Sequence, residues 1–233
     1  MSWPELVIFD CDGVLVDSEI IALAQMRRAL GKAGLMLSAA QTLDFCLGLR
    51  LESVIQKAEA ALGSALPSTF GSDVADQILI RLDAQLQGID GVPEAVARIG
   101  ARSCVASSSA PERIRRSLEA AGYASLFEPH VFSAQMVAQG KPSPDLFLYA
   151  AQQMAVSPPQ CLVIEDSLAG VQGAVSAGMA VFGFVGGGHF ADSPMQGDRL
   201  AAAGAHLVFD KMQQLPDIIA AYARRRAGHM LQA

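Results

Sequence analysis

The sequence has no apolar stretch long and unbroken enough to span a bilayer, so no membrane partner is expected. Positive charge is not in excess: 17 Lys and Arg stand against 23 Asp and Glu, a formal net charge of −6. Nucleic-acid binders carry a basic patch, and this balance argues against nucleic acid as the main partner. It does not exclude a phosphorylated metabolite, because a local cationic site can sit in an acidic protein. Cysteine is scarce, and Cys11, Cys46, Cys104 and Cys161 match neither a CxxC nor a zinc spacing. Three of them lie in or beside apolar runs, where a free thiol behaves as a small hydrophobe, so a reducing, cytoplasmic setting is expected. The start, MSWPELVIFD, lacks a basic segment followed by an apolar run, and no signal peptide is expected. What the chain does have is apolar side chain, 52% of 233 residues. That is enough for a sizeable core, with room for one large domain or a core with a smaller companion.

Four short apolar runs each end at a polar residue: Leu6–Phe9 before Asp10, Cys104–Ala106 before Ser107, Val131–Phe132 before Ser133, and Leu162–Ile164 before Glu165 and Asp166. Runs this short, without alternation, suit strands buried on both faces of a parallel sheet. Two more strand candidates follow, Ala180–Val185 and His206–Phe209. Helical patterns lie between them. One covers 111–121 and opens with Pro111; another covers 144–154, with Ser143 as a capping residue and Pro144 at the first helical position. Others cover 168–177 and about 216–226. The alternation predicts an α/β fold, a Rossmann-like parallel-sheet core.

Residues 17–87 break that rhythm. Apolar positions recur at helical spacing from Asp17 to Lys32, and again over about 50–62 and 70–87, with no convincing strand. The reading is a small all-helical cap domain, 16–87, inserted after the first strand, with 1–15 and 88–233 forming the discontinuous core. Hinges are expected near 14–17 and 86–91.

In an open parallel sheet, ligands bind beyond the carboxyl ends of the strands. The polar residues that end the runs should therefore meet in one crevice: Asp10, Asp12, Ser107, Lys141, Glu165 and Asp166. Four carboxylates together repel unless a cation joins them. Oxygen-only ligands favour Mg²⁺ over zinc or copper, and Mg²⁺ is typically held by one or two carboxylates plus phosphate and water. The Lys and Ser would then face the phosphate. Metal, phosphate and a carboxylate nucleophile point to phosphoryl transfer through an aspartyl-phosphate.

The stretch Asp10-Cys11-Asp12-Gly13-Val14-Leu15 resembles the DxDG(T/V)L motif of the haloacid dehalogenase-like hydrolases. Ser107 in VASSS is similar to that family's second motif, Lys141 in GKPSPDLF to its third, and Glu165-Asp166 in VIEDSLAGVQGAVSAGM to its fourth. The nearest likeness is to the group of beta-phosphoglucomutase and sugar-phosphate or phosphoglycolate phosphatases. The resemblance implies Asp10 as nucleophile and Asp12 as the general acid and base. It implies Asp166 as a direct Mg²⁺ ligand, beside the Asp10 carboxylate and the Asp12 backbone carbonyl, with Glu165 acting through water. Ser107, Ser108 and Lys141 would hold phosphate oxygens, and Arg50 in the cap would touch substrate.

The function that follows is a Mg²⁺-dependent phosphatase acting on a small phosphorylated metabolite, a sugar phosphate or sugar-acid phosphate. The alternatives are a phosphomutase and a catalytically idle binding protein. Against the mutase, aligning the DxDG motifs puts Ala22 where beta-phosphoglucomutase has a gating histidine. A dehalogenase is disfavoured by the second aspartate, and a phosphonatase by the absence of a matching lysine at the cap start. Gly186-Gly187-Gly188 reads as a flexible loop at the site mouth, and His189 and His206 are not read as ligands. Oligomeric state is not legible.

Overall fold

The computed structural model describes residues 3–46, 51–190 and 195–230. Its centre is one parallel sheet of six strands: β1 (Leu6–Phe9), β2 (Arg102–Ser107), β3 (Val131–Ser133), β4 (Cys161–Glu165), β5 (Ala180–Phe184) and β6 (Leu207–Phe209). They lie in the order β3-β2-β1-β4-β5-β6. The chain therefore builds outward from β1 on one side, then crosses back to place β4 on the other. That reversal opens a crevice beyond the carboxyl ends of β1, β2 and β4. Phe9 is in register with Val105 on one side and Ile164 on the other. Asp10, Ser107 and Glu165 thus stand close to one level, at the rim of the sheet.

The two faces follow residue parity. Val7, Phe9, Val105, Leu162, Ile164 and Phe182 point to one side, and Leu6, Ile8, Cys104, Ala106, Cys161, Val163 and Val181 to the other. Helices cover both sides, which is why the strands read as unbroken apolar runs. The insert supplies α1 (Ser18–Lys32), α2 (Ala39–Cys46), α3 (Leu51–Leu62) and α4 (Phe70–Gln85). The remaining helices are α5 (Val92–Ile99), α6 (Pro111–Ala120), α7 (Ala124–Phe127), α8 (Asp145–Gln153), α9 (Leu168–Ser176), α10 (Gln196–Ala202) and α11 (Leu215–Met230). Of these, α5, α6 and α11 pack on the first face and α8, α9 and α10 on the second.

Helices α1 to α4 fall between β1 and β2 and gather a core of their own from Met26, Leu30, Val54, Ala58, Phe70 and Val74. The chain enters and leaves this insert through one paired crossing. Val16 bridges Gly88 in antiparallel fashion, Asp17 N donates to Gln87 O at 3.0 Å, and Ile89 N donates to Leu15 O at 2.8 Å. Local details depart from the sequence reading, which named no helix at α2, α5, α7 or α10. Each of these four is at most eight residues long, about two turns, which is too short for an apolar period to stand out. Helix α8 starts at Asp145, so Ser143 lies one residue before the cap and its Oγ donates to Asp145 Oδ1 at 2.7 Å.

Candidate active site

Asp10 continues the sheet by one residue, since its N donates to Ile164 O at 3.0 Å. The chain then turns at once, with Leu15 N and Val16 N both donating to Cys11 O. Gly13 makes that turn possible. Its φ of +82° is left-handed, and a Cβ there would stand 1.9 Å from Asp166 Oδ2.

Asp10, Glu165 and Asp166 are buried, and each offers a carboxylate oxygen within 4.8 Å of the others. Lys141 Nζ, on a side chain only 4% exposed, donates to Asp10 Oδ1 at 2.6 Å and to Glu165 Oε1 at 2.5 Å. Glu165 Oε2 accepts from Ser167 N and Oγ at 2.8 and 2.9 Å, so both of its oxygens are engaged within the protein. Burial pushes the Asp10 carboxyl well above the usual range; Lys141 opposes this, while Glu165 and Asp166 add to it. Burial, with Glu165 beside it, raises Asp166 as well. The donor set therefore fits a divalent cation: all oxygen, buried, and short of the positive charge needed to keep three carboxylates ionised.

Asp12 points away from this trio. Ser18 Oγ and Arg113 Nη2 donate to its Oδ1 at 2.5 and 2.9 Å, and Ser109 Oγ donates to its Oδ2 at 2.6 Å. Burial alone would raise this carboxyl, but Arg113, Ser109 and Ser18 outweigh burial and hold it below its usual range. Asp12 is thus held as a carboxylate, next to but not on the nucleophile. Ser107 is buried at the end of β2, where its Oγ accepts from Ser109 N at 3.1 Å. Ser108 is exposed. Arg50 lies outside the described residues.

Four residues around the site were given no part in it by the sequence reading, Ser18, Glu19, Ser109 and Arg113, and a fifth, His189, was set aside as no ligand. A usable signal existed for two of them. Ser109 is two residues beyond the strand-ending serine, and Arg113 is in the first turn of the helix that follows. In this kind of sheet, that turn faces the crevice. Glu19, in the first turn of α1, is pushed up to about 7 by burial, then by the negative charge of Asp12 and Asp166. A carboxyl raised on folding stabilises only while it stays protonated. Its contribution is present below the unfolded value of 4.5 and is lost as pH rises toward about 7. Thermal unfolding of metal-free protein between about pH 5 and pH 7 should show Tm falling more steeply for wild type than for Glu19→Gln; equal slopes would contradict this assignment.

Similarity to known proteins agrees with the geometry. The sequence profile of the haloacid dehalogenase-like hydrolases matches residues 7–184. The chain belongs to that family. This hydrolase is 30% identical over 219 residues to the 6-phosphogluconate phosphatase of Escherichia coli strain K12, covering 94% of this chain and 96% of that one. It is 39% identical to a conserved haloacid dehalogenase-like protein of unknown function from Agrobacterium tumefaciens, with a TM-score of 0.88 and coverage of 94% and 99%. A family hydrolase from Deinococcus radiodurans, whose structure holds phosphate and sodium, is 27% identical with a TM-score of 0.78 and coverage of 92% and 94%. The phosphatases among its relatives place this hydrolase with the phosphoric monoester hydrolases. No described helix is long and apolar enough to cross a membrane.

Proposed function

We propose that this hydrolase is a Mg²⁺-dependent phosphatase of a small phosphorylated metabolite, a sugar phosphate or sugar-acid phosphate, that works through an aspartyl-phosphate on Asp10. The observation that carries the reading is the division of labour between two aspartates two residues apart. Asp10 lies among Lys141, Glu165 and Asp166, whereas Asp12 is kept separate by Ser18, Ser109 and Arg113.

The Asp10 carboxylate, Asp166 and the Asp12 backbone carbonyl would hold the cation, with Glu165 supporting from behind through Lys141. When bound, the cation neutralises charge on the phosphoryl oxygens. Asp10 attacks phosphorus; the bond to the ester oxygen breaks, and Asp12, moved off Arg113 and protonated, gives its proton to the leaving alcohol. Asp12 is then a carboxylate again and takes a proton from the water that attacks the phospho-aspartate, releasing phosphate and regenerating Asp10. Lys141 and Ser107 hold the phosphoryl oxygens through both steps. The helical insert acts as a cap over the crevice, limiting water while the leaving group is held.

A mutase must restrain water until a second hydroxyl of the sugar accepts the phosphoryl group. Ala22 offers no side chain for that, which favours hydrolysis. The similarity to a 6-phosphogluconate phosphatase over nearly the whole chain makes sugar-acid phosphates the first substrates to try. The test is a phosphate-release screen across phosphorylated sugars, alditols and sugar acids with Mg²⁺, run beside β-glucose 1-phosphate plus a bisphosphate primer. Free phosphate is the expected product. Efficient formation of glucose 6-phosphate with little free phosphate would overturn the phosphatase reading.

A further inference from the structure

The loop after β5 holds a histidine that the catalytic scheme does not use. The His189 side chain is 4% exposed, although it sits at the mouth of a loop with three consecutive glycines. Its Nε2 stands 3.3 Å from Asp166 Oδ2, and its ring lies against Phe190, with centroids 3.6 Å apart. The opposite nitrogen, Nδ1, is 4.0 Å from Asp17 Oδ1. Both of these atoms are buried and without a hydrogen-bond partner. The same loop is tied to Asp17 by a second contact, Gly188 N donating to Asp17 Oδ2 at 3.2 Å.

Space for the ring is made by missing side chains. A Cβ at Gly187 would stand 2.7 Å from His189 Cε1, and one at Gly13 3.1 Å from the same atom. The glycine of the nucleophile turn and a glycine of the distant loop thus admit one imidazole between them. Asp17 matters because of where it lies. It precedes α1 directly, and its N donates to Gln87 O across the paired crossing through which the chain enters and leaves the insert. A single ring therefore spans from a carboxylate of the metal cluster to the hinge of the insert.

We propose that His189 is a positioning residue: it orients Asp166 for the cation and, through Asp17, couples cation binding to the hinge of the helical insert. This rests on the reading of Asp166 as a ligand. A ligating carboxylate with one oxygen fixed by a donor presents the other in a set direction, and loss of such a partner typically costs 10- to 100-fold in metal affinity. The unfilled gap between Nδ1 and Asp17 supplies the coupling. Two buried unpaired polar atoms are costly, and a small hinge displacement that brings them together satisfies both. Cation affinity then differs between hinge positions, and by linkage the cation biases the hinge.

The experiment is calorimetric titration of Mn²⁺ alone into the metal-free full chain, with no substrate present. H189A should weaken binding by about 10- to 100-fold at little change in Tm, and H189Q, which keeps a donor, should recover most of the loss. H189F keeps the ring packing without a donor and should behave as H189A; it keeps the test open if H189A fails to fold. D17A, which removes no atom near the cation, should weaken binding severalfold, and D17A/H189A should be no weaker than H189A alone, as expected for residues acting in series. Unchanged affinity in H189A and H189F would overturn the proposal, and unchanged affinity in D17A would overturn its hinge component. If wild type binds no Mn²⁺, the metal reading itself falls, an outcome distinct from both.

Discussion

Asp10→Asn is expected to lower phosphate release by at least about three orders of magnitude while leaving the fold intact. The amide keeps the shape of the carboxylate, and the backbone bond from residue 10 to Ile164 O is unaffected. What it lacks is an anionic oxygen able to bond to phosphorus. Folding should tolerate the change because Lys141 keeps Glu165 as a partner and one of three crowded carboxylates is gone. The checks are phosphate release under saturating substrate and Mg²⁺, and thermal unfolding of the same preparation. A folded variant that releases phosphate at the wild-type rate would sink the nucleophile assignment.

Removal of divalent cations should abolish turnover, and Mg²⁺ should restore it. Lys141, with His189 beside Asp166, supplies fewer positive charges than there are buried carboxylates, which are therefore poor at staying ionised together. Without further positive charge, burial favours the protonated form of Asp10, which is a poor nucleophile. Ca²⁺ should bind without supporting the reaction. It takes six to eight ligands at about 2.3–2.6 Å, against about 2.0–2.1 Å for Mg²⁺, and so displaces the attacking oxygen. Activity after exhaustive chelation, and after Ca²⁺ and Mg²⁺ add-back, measures this; full activity in chelator would remove the basis of the site.

The sheet was readable because buried parallel strands leave a plain mark. Each run of apolar residues stops at or just past the last residue of its strand, and those stops, Asp10, Ser107 and Glu165, are the residues the register brings to one rim. Lys141 follows no such strand, so the strand pattern alone supports its place in the crevice less well than the motif it resembles. The surroundings of Asp12 were less legible. Arg113 and Ser109 reach it across about a hundred residues of chain, through a helix start whose facing depends on the crossover between strands. His189 was passed over because a lone histidine after three glycines has no spacing to any other ligand in sequence. Its partners, Asp17 and Asp166, are supplied only by the three-dimensional path.

The pairing of Val16 with Gly88 bears on descent as well as on motion. Because the two ends of the insert are side by side, its 71 intervening residues (17–87) could be lengthened, shortened or exchanged while β1 and β2 keep their register. The rim that carries Asp10 and Asp166 would not be rebuilt in the process. The carboxylate rim and the helical insert are in that sense separately variable parts, joined at a single doorway in the chain.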